Sequence, residues 1–149
     1  MRAVIQRVSR AAVTVDGVVV GRIDRGLVAF VGVAEGDTAA DIDYTTSKIR
    51  ELRVFSDEHG RMNRSVVDVG GQVLVVSQFT LLGDVRKGRR PGFDAAAPPD
   101  VAKARYDDLV SGLRSTGLTI ETGVFQAQMQ VDLVNDGPVT ILLDSRRLF

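Results

Sequence analysis

Two apolar runs set the frame into which the rest of this chain must fit: Leu27-Val28-Ala29-Phe30-Val31-Gly32-Val33, and Val73-Leu74-Val75-Val76-Ser77-Gln78-Phe79-Thr80-Leu81-Leu82. A strand with one face in water alternates apolar and polar residues, whereas a strand covered on both faces has no reason to. The first run therefore belongs in the middle of a sheet buried on both sides. The second, the most apolar stretch of the chain, starts as a buried strand and stops being purely apolar at Ser77.

Around these runs the remaining elements read in order. Ala3 to Val8 opens as a strand, and Ala12 to Val15 and Val18 to Ile23 flank Asp16-Gly17 as a hairpin. Thr38-Ala39-Ala40-Asp41 resembles a capping box with Asp in the Glu position; Ile42, Ile49 and Leu52 follow at helical spacing, which predicts a helix from about Ala39 to Leu52. Arg53-Val54-Phe55 is a short strand, and Gly70-Gly71 marks the turn before the second apolar run. Gly83 to Pro99 is a long connection rich in Gly, Pro and Ala, of a length that is usually functional or mobile. Asp100 is placed to cap a second helix with Val101, Ala104, Leu109, Val110 and Leu113 toward the core and Gly117 as its stop, and Leu118 to Thr122 returns as a strand. Many strands interspersed with two helices predict an α+β fold, with mostly antiparallel β-sheets rolled into a barrel-like core against two main helices. No repeat or linker divides residues 1–149, so a single domain is expected.

Near the end, Met129 to Val134 and Val139 to Leu143 are β-prone runs joined by Asp136-Gly137, a common hairpin signal. Pro138 conflicts with it, because it removes a backbone donor where the returning strand should begin to pair. Either the proline opens an edge strand, or Gly137-Pro138 is a fixed backbone device whose carbonyls are aimed at a ligand.

Charge and composition narrow the chemistry. Nineteen basic and nineteen acidic side chains cancel, so a polyanion site must come from a local cluster. The absence of cysteine excludes disulfides, thiolate nucleophiles and cysteine-ligated zinc. No apolar run approaches the ~20 residues of a membrane span and no cleavable signal is visible, which leads to an expectation of a cytoplasmic protein with no membrane partner. The one histidine, His59, lies in the polar turn Ser56-Asp57-Glu58-His59-Gly60, a poor place for a base that packed neighbours must hold.

Two segments remain as candidates. Ser77-Gln78-Phe79-Thr80 can cap a buried strand with its hydroxyls and amide, or it can present Thr80 and Gln78 to a polar substrate with Phe79 behind them. Arg86-Lys87-Gly88-Arg89-Arg90-Pro91 is a solvated charge run or a phosphate-backbone contact. Phe125 and Met129 are core residues, or an aromatic that stacks a base with its neighbour.

Taken together, Ser77-Gln78-Phe79-Thr80-Leu81 and Asn135-Asp136-Gly137-Pro138-Val139-Thr140 resemble the two signature motifs of the D-aminoacyl-tRNA deacylase family. Gln6-Arg7-Val8, Gly60-Arg61-Met62-Asn63 and Lys87-Gly88-Arg89-Arg90-Pro91 fall in that family's order, so the similarity covers nearly the whole chain. The resemblance implies a homodimer, with no cofactor and no metal, that hydrolyses the ester between a D-amino acid, or glycine, and the terminal adenosine of tRNA. It implies a Gly-cis-Pro dipeptide, Gly137-Pro138, inserted from one subunit into the pocket of the other, held by Arg7 and reading chirality with main-chain atoms. Thr80 and Gln78 would act at the ester; Ser77, Phe79, Phe125, Ala127 and Met129 would line the substrate; Arg86, Lys87, Arg89 and Arg90 would meet tRNA. The chain departs from the family pattern at Gln126 and Gln128, where a glycine normally precedes the alanine, and at Gly92, where serine is common. Two readings of another kind stand beside this one: a Thr80-dependent esterase or amidase for small D-amino acid derivatives, and a non-catalytic tRNA-binding dimer.

Overall fold

The structure is a computed structural model that describes Met1–Phe149. Its framework is one long bent ribbon. Strand β1 (Arg2–Val15) pairs antiparallel with β2 (Val18–Ile23) from Val15↔Val18 to Ala11↔Ile23, and with β3 (Gly26–Gly32) from Val8↔Gly26 to Arg2↔Gly32. The strands β2 and β3 thus lie end to end along a single edge of β1, and the two separate strands expected over residues 3–15 are one. Asp16 and Gly17 close the ribbon with φ of 49° and 77°, the two positive values that a two-residue turn needs to match strand twist.

On its other edge β3 pairs in parallel with β6 (Gln72–Ser77), and β6 pairs in parallel with β7 (Ile120–Thr122). Parallel neighbours require crossovers, and the two helices supply them: α1 (Ala39–Glu51) lies between β3 and β6, and α2 (Pro99–Arg114) between β6 and β7. A small ribbon of β4 (Phe55–Ser56) and β5 (Met62–Arg64) follows α1. The free end of β2 curls back against β7 so closely that a Cβ on Gly21 would collide with the carbonyl oxygen of Thr122. The sheet is therefore nearly closed into a barrel. Of its pairings, those of β6 are parallel, a feature that alternation patterns do not reveal.

The last strand, β8 (Gln130–Asp144), corrects the expected hairpin. It is one strand that runs antiparallel along the whole length of β1, from Thr14↔Gln130 to Arg2↔Asp144. Between Gln6↔Thr140 and Val8↔Asn135 it carries three more residues than β1, and these loop out. Asp-Gly-Pro is a bulge in a continuous ladder, not a reversal. The signal misled because a turn and a bulge need the same residues: glycine freedom and a proline that has no ladder bond to donate.

Burial follows strand alternation on both faces of β3 and β6. Val8, Ala11, Val13, Ile23, Val28, Leu74 and Val76 fill the barrel interior, whereas Ala3, Ile5, Leu27, Ala29, Val31, Val73 and Val75 face the helices. Burying each such aliphatic side chain stabilises the fold by about 1.5–3 kcal/mol. The helix α1 matches its expected span, with Ile42, Thr45 and Ile49 buried and Leu52 as its C-terminal cap. The start and stripe of α2 differ from expectation. Pro98 is the N-cap, Pro99 opens the helix where its missing N–H costs nothing, and Asp100 sits in the first turn, favourably placed for the helix dipole. The buried stripe is Ala102, Tyr106, Leu109, Val110 and Leu113; Val101 and Ala104 face solvent because continuing their arc leads to Asp108 and Ser111.

The two ends of the chain are joined by a buried polar cluster. The Met1 ammonium donates to Asp37 Oδ1 at 2.7 Å and to Ser145 Oγ at 2.7 Å, and Asp37 Oδ2 accepts the Ala34 amide at 2.8 Å. Ser145 Oγ donates onward to Asp41 Oδ1 at 2.6 Å, while Asp41 Oδ2 accepts the Thr38 amide at 2.8 Å as the capping-box reading requires. Burial pushes the Asp41 carboxyl up, but the hydrogen bonds from Ser145 and Thr38 and the nearby ammonium outweigh it and hold the group at about 2. A folded-state value below the unfolded one of roughly 3.9 gives stability that is present above that value and lost as pH falls through the folded value. Asp41→Asn is therefore expected to lower stability by about 1–2 kcal/mol at pH 7, with the gap to the parent closing by roughly pH 2; thermal melts of both proteins across that range check this.

Candidate active site

The second apolar run does not continue as a strand. After Ser77 the Gln78 amide still donates to Val31 O at 2.7 Å, and the chain then turns through a single 3-10 turn, Phe79–Leu82, closed by Leu81 N to Gln78 O at 3.2 Å and Gly83 N to Thr80 O at 3.0 Å. Arg2 fixes the turn from below: its Nη1 donates to Leu81 O at 3.1 Å and its Nε to Asp144 Oδ2 at 3.1 Å. Leu82 turns into the core while Phe79, 56% exposed, and Thr80 face outward. The ring of Phe79 is held edge-on by Phe93 at a centroid distance of 5.0 Å.

These outward groups line a cleft of about 1270 Å³ that also takes in Phe125, Ala127 and Met129, so the residues expected to form a pocket come together from two distant segments. Gln126 and Gln128 line it as well, Gln126 with φ of 64°. Among the wall residues that the sequence does not single out are three polar ones, Glu35, Asp94 and Tyr106. Tyr106 had a readable signal, since a tyrosine in an apolar helical stripe needs a partner for its hydroxyl. It donates to Val75 O at 2.8 Å, and burial, with the neighbouring Asp107, holds the phenol well above its ordinary range. Glu35 and Asp94 arrive through the pairing of Ala34 with Ala96 and of Glu35 N with Ala95 O at 2.9 Å, loop contacts with no local sequence signature.

The chemistry available in this cleft is limited. No Lys, Arg or His is among its lining residues, and Glu35 and Asp94 are its only charged ones. His59 stands in the β4–β5 turn with its side chain 74% exposed, as the polar turn suggested. The amide Nε2 of Gln78 donates to Thr80 Oγ1 in a short contact. The Thr80 hydroxyl thus accepts from the protein and keeps its own proton to donate, with no base aligned to remove it. Such a group polarises or positions a carbonyl more readily than it attacks one.

Gly137 and Pro138 are exposed, joined by a cis peptide bond, and do not line the cleft of their own chain. Two side chains hold the bulge that carries them. Arg7 Nε donates to Asp136 O at 2.8 Å and its Nη1 to Val54 O at 2.6 Å, which anchors the loop to the residue before β4. Asn135 takes the place of missing ladder partners: its Oδ1 accepts the Val139 amide at 2.7 Å and its Nδ2 donates to Val139 O and Thr140 Oγ1, each at 3.1 Å. An Asn just before an Asp-Gly pair, with its tendency to bond nearby backbone, was the available sign of this role.

The basic loop is pinched at its base by Asp84 N to Gly92 O at 2.7 Å and Gly92 N to Asp84 O at 2.9 Å. Within it Arg86 pairs with Asp84 at 2.7 Å, and that guanidinium holds the Asp84 carboxyl below the usual carboxylate range. Lys87, Arg89 and Arg90 are exposed and have no ion-pair partner, so three of the four cations expected to act together are free and one is neutralised.

Comparison with known proteins gives concordant results. The model of the family described as D-Tyr-tRNA(Tyr) deacylase matches residues 4–144. The chain is 62% identical to a D-aminoacyl-tRNA deacylase of Anaeromyxobacter dehalogenans and 60% identical to one of Koribacter versatilis, over 149 residues and the full length of each chain. Among solved structures it resembles a c-Myc DNA unwinding element binding protein at 44% identity and a TM-score of 0.91, covering 97% of this chain and 98% of that one. A probable eukaryotic D-amino acid tRNA deacylase shares the fold at 20% identity and a TM-score of 0.80, covering 95% and 97%.

If Asn135 substitutes for ladder partners, Asn135→Ala should destabilise the protein by about 1–3 kcal/mol in denaturant titrations. The amide of Val139 should lose its protection from hydrogen exchange, and that of Ile141 should keep it. Equal loss at both positions would mean that β8 as a whole had loosened.

Proposed function

The chain belongs to the D-Tyr-tRNA(Tyr) deacylase family, and from that premise we propose that it hydrolyses the ester linking a D-amino acid, and also glycine mischarged on tRNA-Ala, to the terminal adenosine of tRNA, while rejecting L-aminoacyl-tRNA. The observation that carries the reading is the cleft itself: Ser77, Gln78, Phe79 and Thr80 line it together with Phe125, Ala127 and Met129, a space that offers hydrogen-bond donors and aromatic surface, and neither of its two carboxylates, Glu35 and Asp94, is hydrogen-bonded to Thr80.

The active unit in this reading is a homodimer. Gly137 and Pro138 are exposed and do not line the cleft of their own chain, and they lie on a 15-residue strand that pairs only with β1 and leaves its other edge open. Val134 and Leu142 on that strand are 40% and 59% exposed. An open edge with exposed apolar residues is suited to a second copy. In the dimer Gly137-Pro138 enters the partner's cleft and its main-chain atoms contact the substrate amino group, leaving no room for an L side chain. Arg7 and Asn135 keep the loop in place. A backbone selector suits this task because its position does not change with side-chain rotamer.

Catalysis then rests on position and on the substrate. Thr80, with Gln78 bonded to its oxygen, donates to the ester carbonyl as it becomes an oxyanion. A water molecule attacks that carbon, and the free ribose hydroxyl beside the ester relays the proton: it accepts one from the water while handing its own to the departing adenosine oxygen, so that the free acid and the intact terminal ribose are released. Phe125 and Phe79 supply stacking surface for the adenine, and Lys87, Arg89 and Arg90 contact phosphates further along the RNA.

The deciding experiment compares D- and L-aminoacyl-tRNA, a free D-amino acid ester, and a D-aminoacyl-tRNA whose terminal ribose lacks the adjacent hydroxyl. Only the intact D-aminoacyl-tRNA should react quickly. Thr80→Ala should keep measurable single-turnover activity, with a loss of order one hydrogen bond, about 1–3 kcal/mol in activation free energy. An inactive but folded and tRNA-binding Thr80→Ala protein, together with a fully reactive deoxy substrate, would instead make Thr80 the nucleophile. Rapid hydrolysis of the free ester would point to a small-molecule esterase, and binding without turnover to an RNA-binding dimer. For the basic loop, replacing Lys87 and Arg89 by Gln should raise KM and flatten its dependence on salt, whereas Arg86→Gln should do less of both because Asp84 already neutralises it. Equal effects from all of these positions would remove the distinction.

A further inference from the structure

The 3-10 turn that presents Thr80 is too short to hold itself in place. Its backbone bonds, Leu81 N to Gln78 O and Gly83 N to Thr80 O, are of the i→i+3 kind, whose alignment is poor. The Thr80 hydroxyl adds no outside anchor, since its hydrogen-bond partner is Gln78 of the same segment. Where Thr80 stands relative to the sheet is therefore decided by what ties the turn at its two ends. At the entry the Gln78 amide donates to Val31 O at 2.7 Å. At the exit the tie is a side chain, Arg2.

In the sheet Arg2 lies between Gly32 of β3 and Asp144 of β8, its register partners on either side. Cross-strand partners put their side chains on one face, so the three positions form a row. Gly32 leaves its place in the row empty and the turn fills it: a Cβ there would collide with the Leu82 side chain and stand 2.8 Å from Gln78 O. Asp144 is buried at the other side, with Oδ1 accepting the Arg146 amide at 2.8 Å and Oδ2 accepting Arg2 Nε at 3.1 Å. A carboxylate held at both oxygens aims the planar guanidinium, whose Nη1 then reaches Leu81 O at 3.1 Å. That carbonyl belongs to the last residues of a helical turn, where backbone donors within the turn run out. One guanidinium is thus divided between a fixed acid and the exit of the turn.

We propose that Arg2, aimed by Asp144, is a positioning residue for ester hydrolysis: it fixes the Thr80 hydroxyl at the ester carbonyl and so sets the rate of the chemical step, not the affinity for tRNA. This role rests on the reading of Thr80 as a donor to the ester. Arg2 is absent from the cleft lining, so it acts through the turn and does not touch substrate.

The test is single-turnover deacylation of D-aminoacyl-tRNA by folded Arg2→Gln protein, beside tRNA affinity and amide hydrogen exchange without substrate. The rate constant should fall roughly tenfold to a hundredfold, as misplacement of a reacting group does, with Kd for tRNA within about twofold of the parent. The Gly83 amide, bonded to Thr80 O, should exchange faster while the Gln78 amide keeps its protection. Arg2→Lys keeps a charge beside Asp144 but loses the rigid fork, so an intermediate rate is expected, and this variant carries the comparison if Arg2→Gln does not fold. Because Arg2 acts through Thr80, adding Arg2→Gln to Thr80→Ala should cost less than about threefold more. An unchanged rate in Arg2→Gln, a loss confined to tRNA affinity, full additivity with Thr80→Ala, or unchanged exchange at Gly83 would each overturn the role of Arg2 and leave the deacylase reading standing. A parent protein that does not turn over D-aminoacyl-tRNA would overturn both.

Discussion

The bulge that carries the cis Gly137-Pro138 bond hangs on the pairing of β1 with β8. That ladder supplies one wall of the barrel, and the larger of its two irregularities, between Gln6 and Val8, delivers Gly137 and Pro138 to the surface, the other lying just beyond it between Val8 and Arg10. A looped insertion in an antiparallel pair that continues on both sides is held by ladder bonds, so its position is set by the sheet rather than by the loop. Arg7 is part of the same logic: it sits on β1 opposite the interruption and reaches both the bulge and the carbonyl of Val54. The bulge and its anchor are built from one pair of strands.

The cleft has the opposite construction. Its parts come from the end of a parallel strand, a loop and the start of a helix, and they converge only because β3, β6 and β7 lie side by side. Its few polar groups are mostly committed to one another, Gln78 to Thr80 and Tyr106 to Val75. Such groups are suited to holding a reacting group in place and to supplying oriented dipoles, in a chain whose one histidine stands on an exposed turn and which has no cysteine.

How much of this could be read in advance depended on whether the signal was local. The doubly buried strand at Leu27 to Val33, the type I′ turn at Asp16-Gly17 and the capping box at Thr38 to Asp41 are local physics, and each is where the residues put it. Failures came where one local pattern serves two long-range ends. Asp-Gly-Pro suits a turn or a bulge, and only the presence of β1 alongside decides between them. Val101 and Ala104 are apolar and well spaced, but the sheet lies under Ala102 and Tyr106 instead. Leu81 and Leu82 are as strand-like as Val75 and Val76, yet the chain leaves the sheet at Ser77 because Arg2 and Gln78 tie down a turn there. Glu35 and Asp94 in the cleft wall belong to no pattern along the chain and become visible only in three dimensions.

The pairing of β1 with β8 also has a consequence for the order in which the molecule can be made. During synthesis from the N-terminus, β2 and β3 can zip onto one edge of β1 early, because an Asp-Gly turn keeps that contact local. The other edge of β1 has no partner until Gln130–Asp144 has left the ribosome. Until then a long unpaired edge persists on a half-built sheet, the kind of surface on which nascent chains join wrongly with one another. The arrival of β8 thus ends the period of vulnerability: Leu143, with Val131, Leu133, Val139 and Ile141, completes the core in the same step that sets the Gly137-Pro138 bulge in place.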